Sequence, residues 1–543
     1  MSISRSISQL STLAGPSSSS DSEKQQCSDM YLDSNRSTAD IGNFPFSTEK
    51  EEQALFPDEY TVETQTGLVP RSHLNAPAVA EDKFADHKPE IQYVTFKVDD
   101  SQNPMNWPGW RKWTVTLLVS LLVIEVAFGS SCVTGGLELV EDRYDVSLEV
   151  AILTCSLMVA GFAVGPLAWS PLSEQYGRRP IYFISLGLYT IFNIPCALAP
   201  NIGGLLVCRF LCGVFASSGL VLAGGTIADI WDIEHRGNAI AYFAAAPYCG
   251  PVFGPLVCGF IHVYSGRLDL IFWVNMAFAG IMWISVSAIP ETYAPVLLKR
   301  RAKRLRKETG NPNIMTEQEQ LKQSFTEIVR SVLFRPVYLI ITEPILDLMN
   351  SYIFLIYALL YAFFFAYPVI FGRLYSYNDP IVGLMFIPII IGAGFSLVTT
   401  PIIEKYYRRL CKRRRPAPED RLIGAMIGAP FVPISLFVLG ATSYKHIIWG
   451  MVLIYFSVNN YIIDSYEKCT ASALAAKVFT RSAGGAAFPL FTTQMYSRLG
   501  LQWASWLLAF ISLVMVLIPF TFYWYGGRLR RVLGSGQKYV NEE

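Results

Sequence analysis

Charge is scarce in this chain. Only 16% of its 543 residues are Asp, Glu, Lys or Arg, against roughly 25% in an average soluble protein. Hydrophobic residues make up 52%. A chain so apolar cannot cover its surface with polar side chains, so water is the wrong solvent for most of it. The ten cysteines form no CxxC, and the one close pair, Cys208 and Cys212, has no His or Cys partner nearby. Two soft ligands alone make a poor metal site, so packing is the expected role and no metal is expected. A GxxxxGK[ST] loop is missing, which leaves ATP-driven pumping unsupported. No catalytic triad and no cofactor fingerprint is present either, so no enzyme activity and no cofactor is expected. Together these absences argue against a soluble enzyme, a nucleic-acid binder and a disulfide-rich secreted scaffold.

What charge there is lies unevenly. Residues 1–100 hold 8 basic and 17 acidic side chains, so the remainder of a chain of net charge +1 is strongly basic. Residues 1–105 are rich in Ser, Asp, Glu and Pro, with Ser17 to Ser20 in a row and no apolar run of signal-peptide length. Such a composition cannot bury enough apolar surface to offset chain entropy, and a disordered tail is expected. Its sequon, Asn35-Arg36-Ser37, is expected to stay unused on a cytosolic tail.

From Trp107 onward the pattern changes. A helix needs about 20 mostly apolar residues to cross the hydrocarbon. Twelve stretches qualify: 113–133, 148–170, 181–199, 204–228, 238–262, 269–289, 346–371, 381–403, 421–441, 446–464, 471–496 and 502–525, numbered here as spans 1 to 12. With the tail inside, the inner loops carry 25 Lys and Arg and the outer loops 5. That asymmetry places both termini in the cytosol. The first outer loop is acidic, with Glu138, Glu141, Asp142 and Asp145. The run Lys299-Arg300-Arg301-Ala302-Lys303-Arg304-Leu305-Arg306-Lys307 reads as a helix along the inner leaflet, drawn to anionic lipid, rather than a nucleic-acid patch.

Two inner loops match. Pro171-Leu172-Ser173-Glu174-Gln175-Tyr176-Gly177-Arg178-Arg179 follows span 2, and Pro401-Ile402-Ile403-Glu404-Lys405-Tyr406-Tyr407-Arg408-Arg409 follows span 8. Both read P-[LI]-x-E-x-Y-x-R-R. The predicted organisation is an all-α membrane protein of 6+6 pseudo-symmetric bundles: 106–290, a basic central loop 291–335, 336–527, and a short basic tail 528–543. Related halves about an axis along the membrane normal, with substrate between them at mid-depth, are a transporter architecture.

These residues carry a resemblance. The chain resembles the major facilitator superfamily, and within it the fungal twelve-span drug:proton antiporters, which include polyamine and multidrug exporters. Gly165 to Pro180 resembles that group's loop 2–3 signature, Arg209-Phe210-Leu211-Cys212-Gly213 its span 4 signature, and Ala246-Pro247-Tyr248-Cys249-Gly250-Pro251-Val252-Phe253-Gly254-Pro255 its span 5 antiporter signature. Pro290-Glu291-Thr292-Tyr293-Ala294-Pro295 is similar to its loop after span 6. Gly266-Arg267-Leu268-Asp269, Glu125 and Asp347 depart from the group's pattern.

Roles follow from residue chemistry. Glu174, Gly177, Arg178 and Arg179 are gating candidates: the carboxylate can meet the positive end of another helix, such as span 11, and the arginines the acids closing span 4, Asp229, Asp232 and Glu234. Ordinary topology-setting charge is the alternative. Glu404, Arg408 and Arg409 are the second copy, with Tyr407 in place of the glycine. A charge inside span 4 is costly, on the order of 3 kcal/mol, so Arg209 should face a cavity or a partner; the resemblance implies proton coupling, and a structural arginine is the other reading. Glu125, buried among apolar neighbours, can exchange a proton near neutral pH, pair with a cationic substrate, or simply pack. Glu343 is a third proton-coupling candidate, one turn before Asp347. In span 5, Gly250, Gly254 and Gly259 allow close contact while Pro251 and Pro255 bend the helix, and Ser482 to Ala487 of span 11 is the expected opposing surface. Asn350, Tyr352 and Tyr361 of span 7 are cavity candidates, where aromatic faces attract cations.

The expected function is proton-coupled export of small organic or cationic compounds such as drugs and polyamines by alternating access. Proton-coupled uptake of a nutrient such as a sugar, vitamin or siderophore is the alternative, and a channel or transport-dead sensor a third reading. Expected partners are a small-molecule substrate, protons and the lipid bilayer, with no nucleic acid, and the chain is expected to act as a monomer. The plasma membrane is the expected location, with endoplasmic reticulum or vacuole as alternatives.

Overall fold

In hydrocarbon each backbone N–H and C=O must be satisfied within the protein, which for separate apolar segments means helix. The computed structural model describes residues 68–70, 92–97, 99–232, 235–320, 338–374, 376–413, 418–442, 449–465 and 470–533. Most of the expected tail, the end of the central loop from 321, and Glu234, Lys445 and Lys468 lie outside the described residues.

Ten helices among the described residues are long and apolar enough to cross a bilayer. Spans 1 to 6 are Gly109–Ser131, Leu148–Tyr176, Arg178–Ala197, Ile202–Ile230, Arg236–Ser265 and Leu268–Ser287. Span 1 runs on through a 3-10 turn, Cys132–Gly136, into the short helix Leu137–Tyr144, which carries Glu138, Glu141 and Asp142 of the acids expected in an outer loop and is capped by the fourth, Asp145. Span 7 is Pro344–Tyr367, span 8 centres on Ile387–Arg413, and span 9 lies within Pro418–Ala441. The last apolar helix, Ala473–Gly526, is 54 residues long. It breaks at Gly500 (φ 75°, ψ 166°), so its two arms fall on the expected spans 11 and 12. Trp449–Ser465, 17 residues long, stands where span 10 was expected.

Spans 1–6 pack mainly among themselves, span 1 on span 5 and spans 2 and 3 on span 4. Across to the other half, span 5 lies along spans 8 and 10, and span 2 along the span 11–12 helix. Outward-facing side chains such as Ile184, Ile191, Val207, Ile284, Val398 and Leu517 are exposed. An apolar surface this extensive suits lipid and not water.

Two expectations change. The segment 404–409 is not a loop, because span 8 continues as helix to Arg413. The first copy stops at Gly177, whose φ of +100° ends span 2; Tyr407 offers no such backbone freedom, and the helix runs on. Residues 92–97 and 99–105, expected as part of the disordered tail, take defined structure. Gln92–Val94 pairs in parallel with Ile314–Met315, and Pro104–Asn106 forms a 3-10 turn. The basic run lies in the helix Ala294–Thr309, pinned by Arg301 Nη1 to Asp100 Oδ2 (2.5 Å) and Arg306 Nη2 to Glu319 Oε1 (2.9 Å). Burial works to raise the Asp100 carboxyl, but the Gln102 amide and the Arg301 guanidinium outweigh it and hold the group below its ordinary value.

Candidate functional site

Arg209 is fully buried in span 4. Its Nη1 donates to Gly129 O (3.0 Å), Nη2 to Ser130 O (3.2 Å) and Nε to Thr154 O (3.0 Å). Span 1 ends as an α-helix at Ser131, and the last carbonyls of a helix have no partner inside it. The guanidinium supplies that partner, and its charge meets the negative end of the helix dipole. Three backbone carbonyls thus account for a charge at this depth without a carboxylate.

Glu125 sits one turn earlier on span 1 and is also fully buried. Neither carboxylate oxygen has a partner within hydrogen-bond geometry, and the polar group beside it is the Tyr189 hydroxyl of span 3. Asn275 of span 6 donates to that hydroxyl (3.1 Å) and to Asn193 (2.7 Å). Glu125 therefore belongs to a polar nest inside the first half. Glu343 stands elsewhere: it is the N-cap residue of span 7, buried at the helix end, with Asp347 half-buried in the first turn.

The loop 2–3 signature builds a cluster at the end of the first half. Arg178 Nε donates to Asp229 Oδ2 (3.2 Å) and Arg178 Nη1 to the Ser173 hydroxyl (2.6 Å), while the Tyr293 ring lies 4.7 Å from the guanidinium. Glu174 is close enough to Arg178 to interact with it electrostatically. Glu291 Oε1 accepts from the Arg178 amide (2.8 Å) and so caps the N-terminus of span 3. A Cβ on Gly177 would collide with that same carboxylate. Arg179 reaches Ser287 O (3.2 Å) instead of an acid, and Asp232 pairs with His235.

The second copy works differently. Glu404 is buried and pairs with Arg421 Nη1 (2.7 Å), whose guanidinium stacks 3.7 Å from the Tyr407 ring. Arg408 and Arg409 are exposed. The Glu404 carboxyl also occupies the space a Cβ on Gly237 would need, at the N-terminus of span 5. Glu404 thus lies against the positive end of span 5, whereas the expected contact was Glu174 with span 11.

The span 5 glycines do not face span 11. Gly250 lies against Ile124 O and Ala127, and Gly254 against Ser131, all of span 1; Gly259 meets the Asp379 backbone before span 8. Pro251 and Pro255 are buried inside the helix. Gly484 and Gly485 of span 11 pack instead on Phe354, Tyr357 and Tyr361 of span 7.

Both halves contribute to a central seam. The Ser130 and Tyr361 hydroxyls meet at 2.6 Å, and the rings of Tyr248 and Tyr455 cross edge-on at 5.6 Å. Asn350 and Tyr352 are buried without hydrogen-bond partners. At 100° per residue Asn350, Tyr357 and Tyr361 share a stripe of span 7, and Tyr352 lies off it. Lys477 and Arg481 of span 11 complete the seam: the lysine donates to Asn459 Oδ1 and the arginine to the Tyr455 hydroxyl. Sequence reasoning passed over this pair, although two cations four residues apart in an apolar stretch were in plain view. At the opposite end from Arg178, His262 Nδ1 lies 2.5 Å from Asp379 Oδ2, tying span 5 to the segment entering span 8. With Glu138, which is exposed, these residues bring three candidate ligand atoms within 4.8 Å of one another. No spacing motif announces that trio, because three separate helical segments supply it.

The Major Facilitator Superfamily model matches residues 119–465. The chain is 56% identical to "Multidrug transporter TPO3" of Candida glabrata, over 91% of this chain and 87% of that one. Polyamine transporter 3 and polyamine transporter 2 of Saccharomyces cerevisiae are 56% and 57% identical, over 93% and 89% of this chain and 89% and 86% of theirs. In fold it matches the proton:xylose symporter XylE bound to 6-bromo-6-deoxy-D-glucose, with a TM-score of 0.57 at 16% identity, over 77% of this chain and 97% of that one. The chain belongs to the Major Facilitator Superfamily.

Proposed function

We propose that this protein is a secondary transporter that exports small organic molecules in exchange for protons by alternating access. It crosses the membrane twelve times with both termini in the cytosol and acts as a monomer, most simply in the plasma membrane. The observation that carries the reading is the central seam: buried ionisable and aromatic side chains of both halves meet between polar cross-half contacts at either end, Glu404 with Gly237 and His262 with Asp379. Such contacts can be made and broken alternately as two rigid halves rock.

Glu125 is the proposed proton carrier, because its carboxylate is fully buried, with neither oxygen in hydrogen-bond geometry and the Tyr189 hydroxyl as the polar group beside it. Arg209 positions the end of span 1 beside it, and Glu343 takes a secondary place at the end of span 7. Arg178, Asp229, Glu174 and Gly177 form the gate of the first half, and Glu404 that of the second. Drugs and polyamines enter as substrates from the relatives' names.

Purified protein in proteoliposomes, with an imposed proton gradient and labelled spermine or a labelled drug, tests this. Export predicts that substrate moves against the direction of proton flow, and that Glu125→Gln abolishes the coupling. Substrate moving with the protons would establish uptake instead. Flux that does not saturate would point to a channel.

A further inference from the structure

Lys477 and Arg481 present a problem of charge. Both are buried, at 3% and 1% exposure. Their hydrogen bonds go to neutral acceptors, Asn459 and Tyr455. No carboxylate interacts with either among the described residues. Arg209, the other fully buried arginine, finds three carbonyls. Arg481 keeps its Nε, a donor only, without a partner. Facing it across the seam, the Tyr248 hydroxyl of span 5 is likewise buried and unpartnered. The Tyr357 and Tyr455 rings lie 4.8 Å and 5.5 Å from the guanidinium.

A buried charge without a counterion is expensive. Here a guanidinium and an amine share one turn of helix, with unused donors from both halves beside them and aromatic walls around them. The chemistry that matches these donors and rings is an acceptor that carries negative charge on an apolar body. We propose that the seam between the halves binds an amphipathic organic carboxylate, held by Arg481 and Lys477 with the Tyr248 hydroxyl as a donor from the opposite half. This rests on the transport reading and deepens it by adding a substrate class to the same site. A polyamine would have to bind elsewhere along the seam, away from the Arg481 guanidinium.

The test uses the full chain purified in detergent and p-aminohippurate, a carboxylate that stays ionised at neutral pH, with its uncharged carboxamide as control. Wild-type protein binds the acid in calorimetry and the carboxamide at least tenfold more weakly, the scale of a charge-assisted hydrogen bond. Arg481→Gln weakens the acid about tenfold or more, and Arg481→Lys restores part of that loss. Tyr248→Phe, which removes one hydroxyl, costs roughly fivefold. Each variant is first shown to be monodisperse with an unchanged thermal transition; where Arg481→Gln is not, Tyr248→Phe and the carboxamide still decide. Equal affinity for acid and carboxamide, or undiminished acid binding in a folded Arg481→Gln, overturns the proposal. Proton-driven export of spermine by a protein that binds no carboxylate would overturn it while leaving the transport reading intact. Carboxylate binding without any proton-driven flux would do the reverse.

Discussion

The hydroxyl of Ser130, one residue before span 1 ends, lies 2.6 Å from the hydroxyl of Tyr361 in the C-terminal part of span 7. It joins the two halves within one residue of the carbonyl pair that Arg209 holds. A movement of one half against the other must therefore act on the residues that end span 1. Ser130→Ala and Tyr361→Phe should each lower thermal stability by about 1 kcal/mol, and the double variant should cost little more than either single one. A double-mutant cycle on thermal unfolding measures the coupling; fully additive losses would mean the hydroxyls do not act together.

Arg209 should behave first as a helix cap. Arg209→Gln leaves the Gly129 and Ser130 carbonyls short of donors in a buried place, at a cost of about 3 kcal/mol. Arg209→Lys keeps the charge but not the fork, and should recover only part of it. Hydrogen exchange across residues 125–136 should rise in both variants. Unaltered exchange there, with transport lost, would assign Arg209 to coupling alone.

Gly237 and Glu404 should depend on each other. Gly237→Ala places a methyl group where the Glu404 carboxyl sits. We expect overpacking of about 1–3 kcal/mol and slowed transport. In a Glu404→Ala background the same glycine change should cost almost nothing. Thermal unfolding of the four proteins checks this, and an equal penalty in both backgrounds would contradict the contact.

The tie between Asp100 and Arg301 carries a pH signature. A carboxyl held below its ordinary value adds stability above its unfolded pKa of ~3.9, and loses it as pH falls through the folded value. The helix Ala294–Thr309 should thus stay docked at neutral pH and loosen below about pH 4. Hydrogen exchange of 294–309 against pH reads this, and Asp100→Asn should remove the dependence. Because both side chains are partly solvated, the loss should be small.

Much of the helical layout could be read from apolar run length, because lipid imposes one rule on every backbone. The sequence left Asp229, Asp232 and Glu234 open as partners for Arg178 and Arg179, and the structure pairs Arg178 with Asp229. Span 8 escaped it. The charges of 404–413 look like a loop, while the property that matters is the absence of a residue able to stop the helix. Glu291 was visible in its motif, but nothing in its spacing announces that it caps a helix 113 residues upstream. Pairs such as Ser130 with Tyr361 or His262 with Asp379 join residues more than 100 positions apart and leave no local trace. Lys477 and Arg481 were open to view, and apolar periodicity drew attention away from them.

The substitution that puts Tyr407 where its counterpart is Gly177 gives the halves unequal joints. Beyond span 2 the backbone turns at once, so motion there is absorbed within a residue or two. Beyond Ile403 ten more residues stay helical, an arm of about 15 Å at 1.5 Å per residue. Force applied to its tip, by lipid headgroups or by another protein, would be transmitted as leverage to Glu404 and the start of span 5. The second half thus carries a handle that its twin lacks.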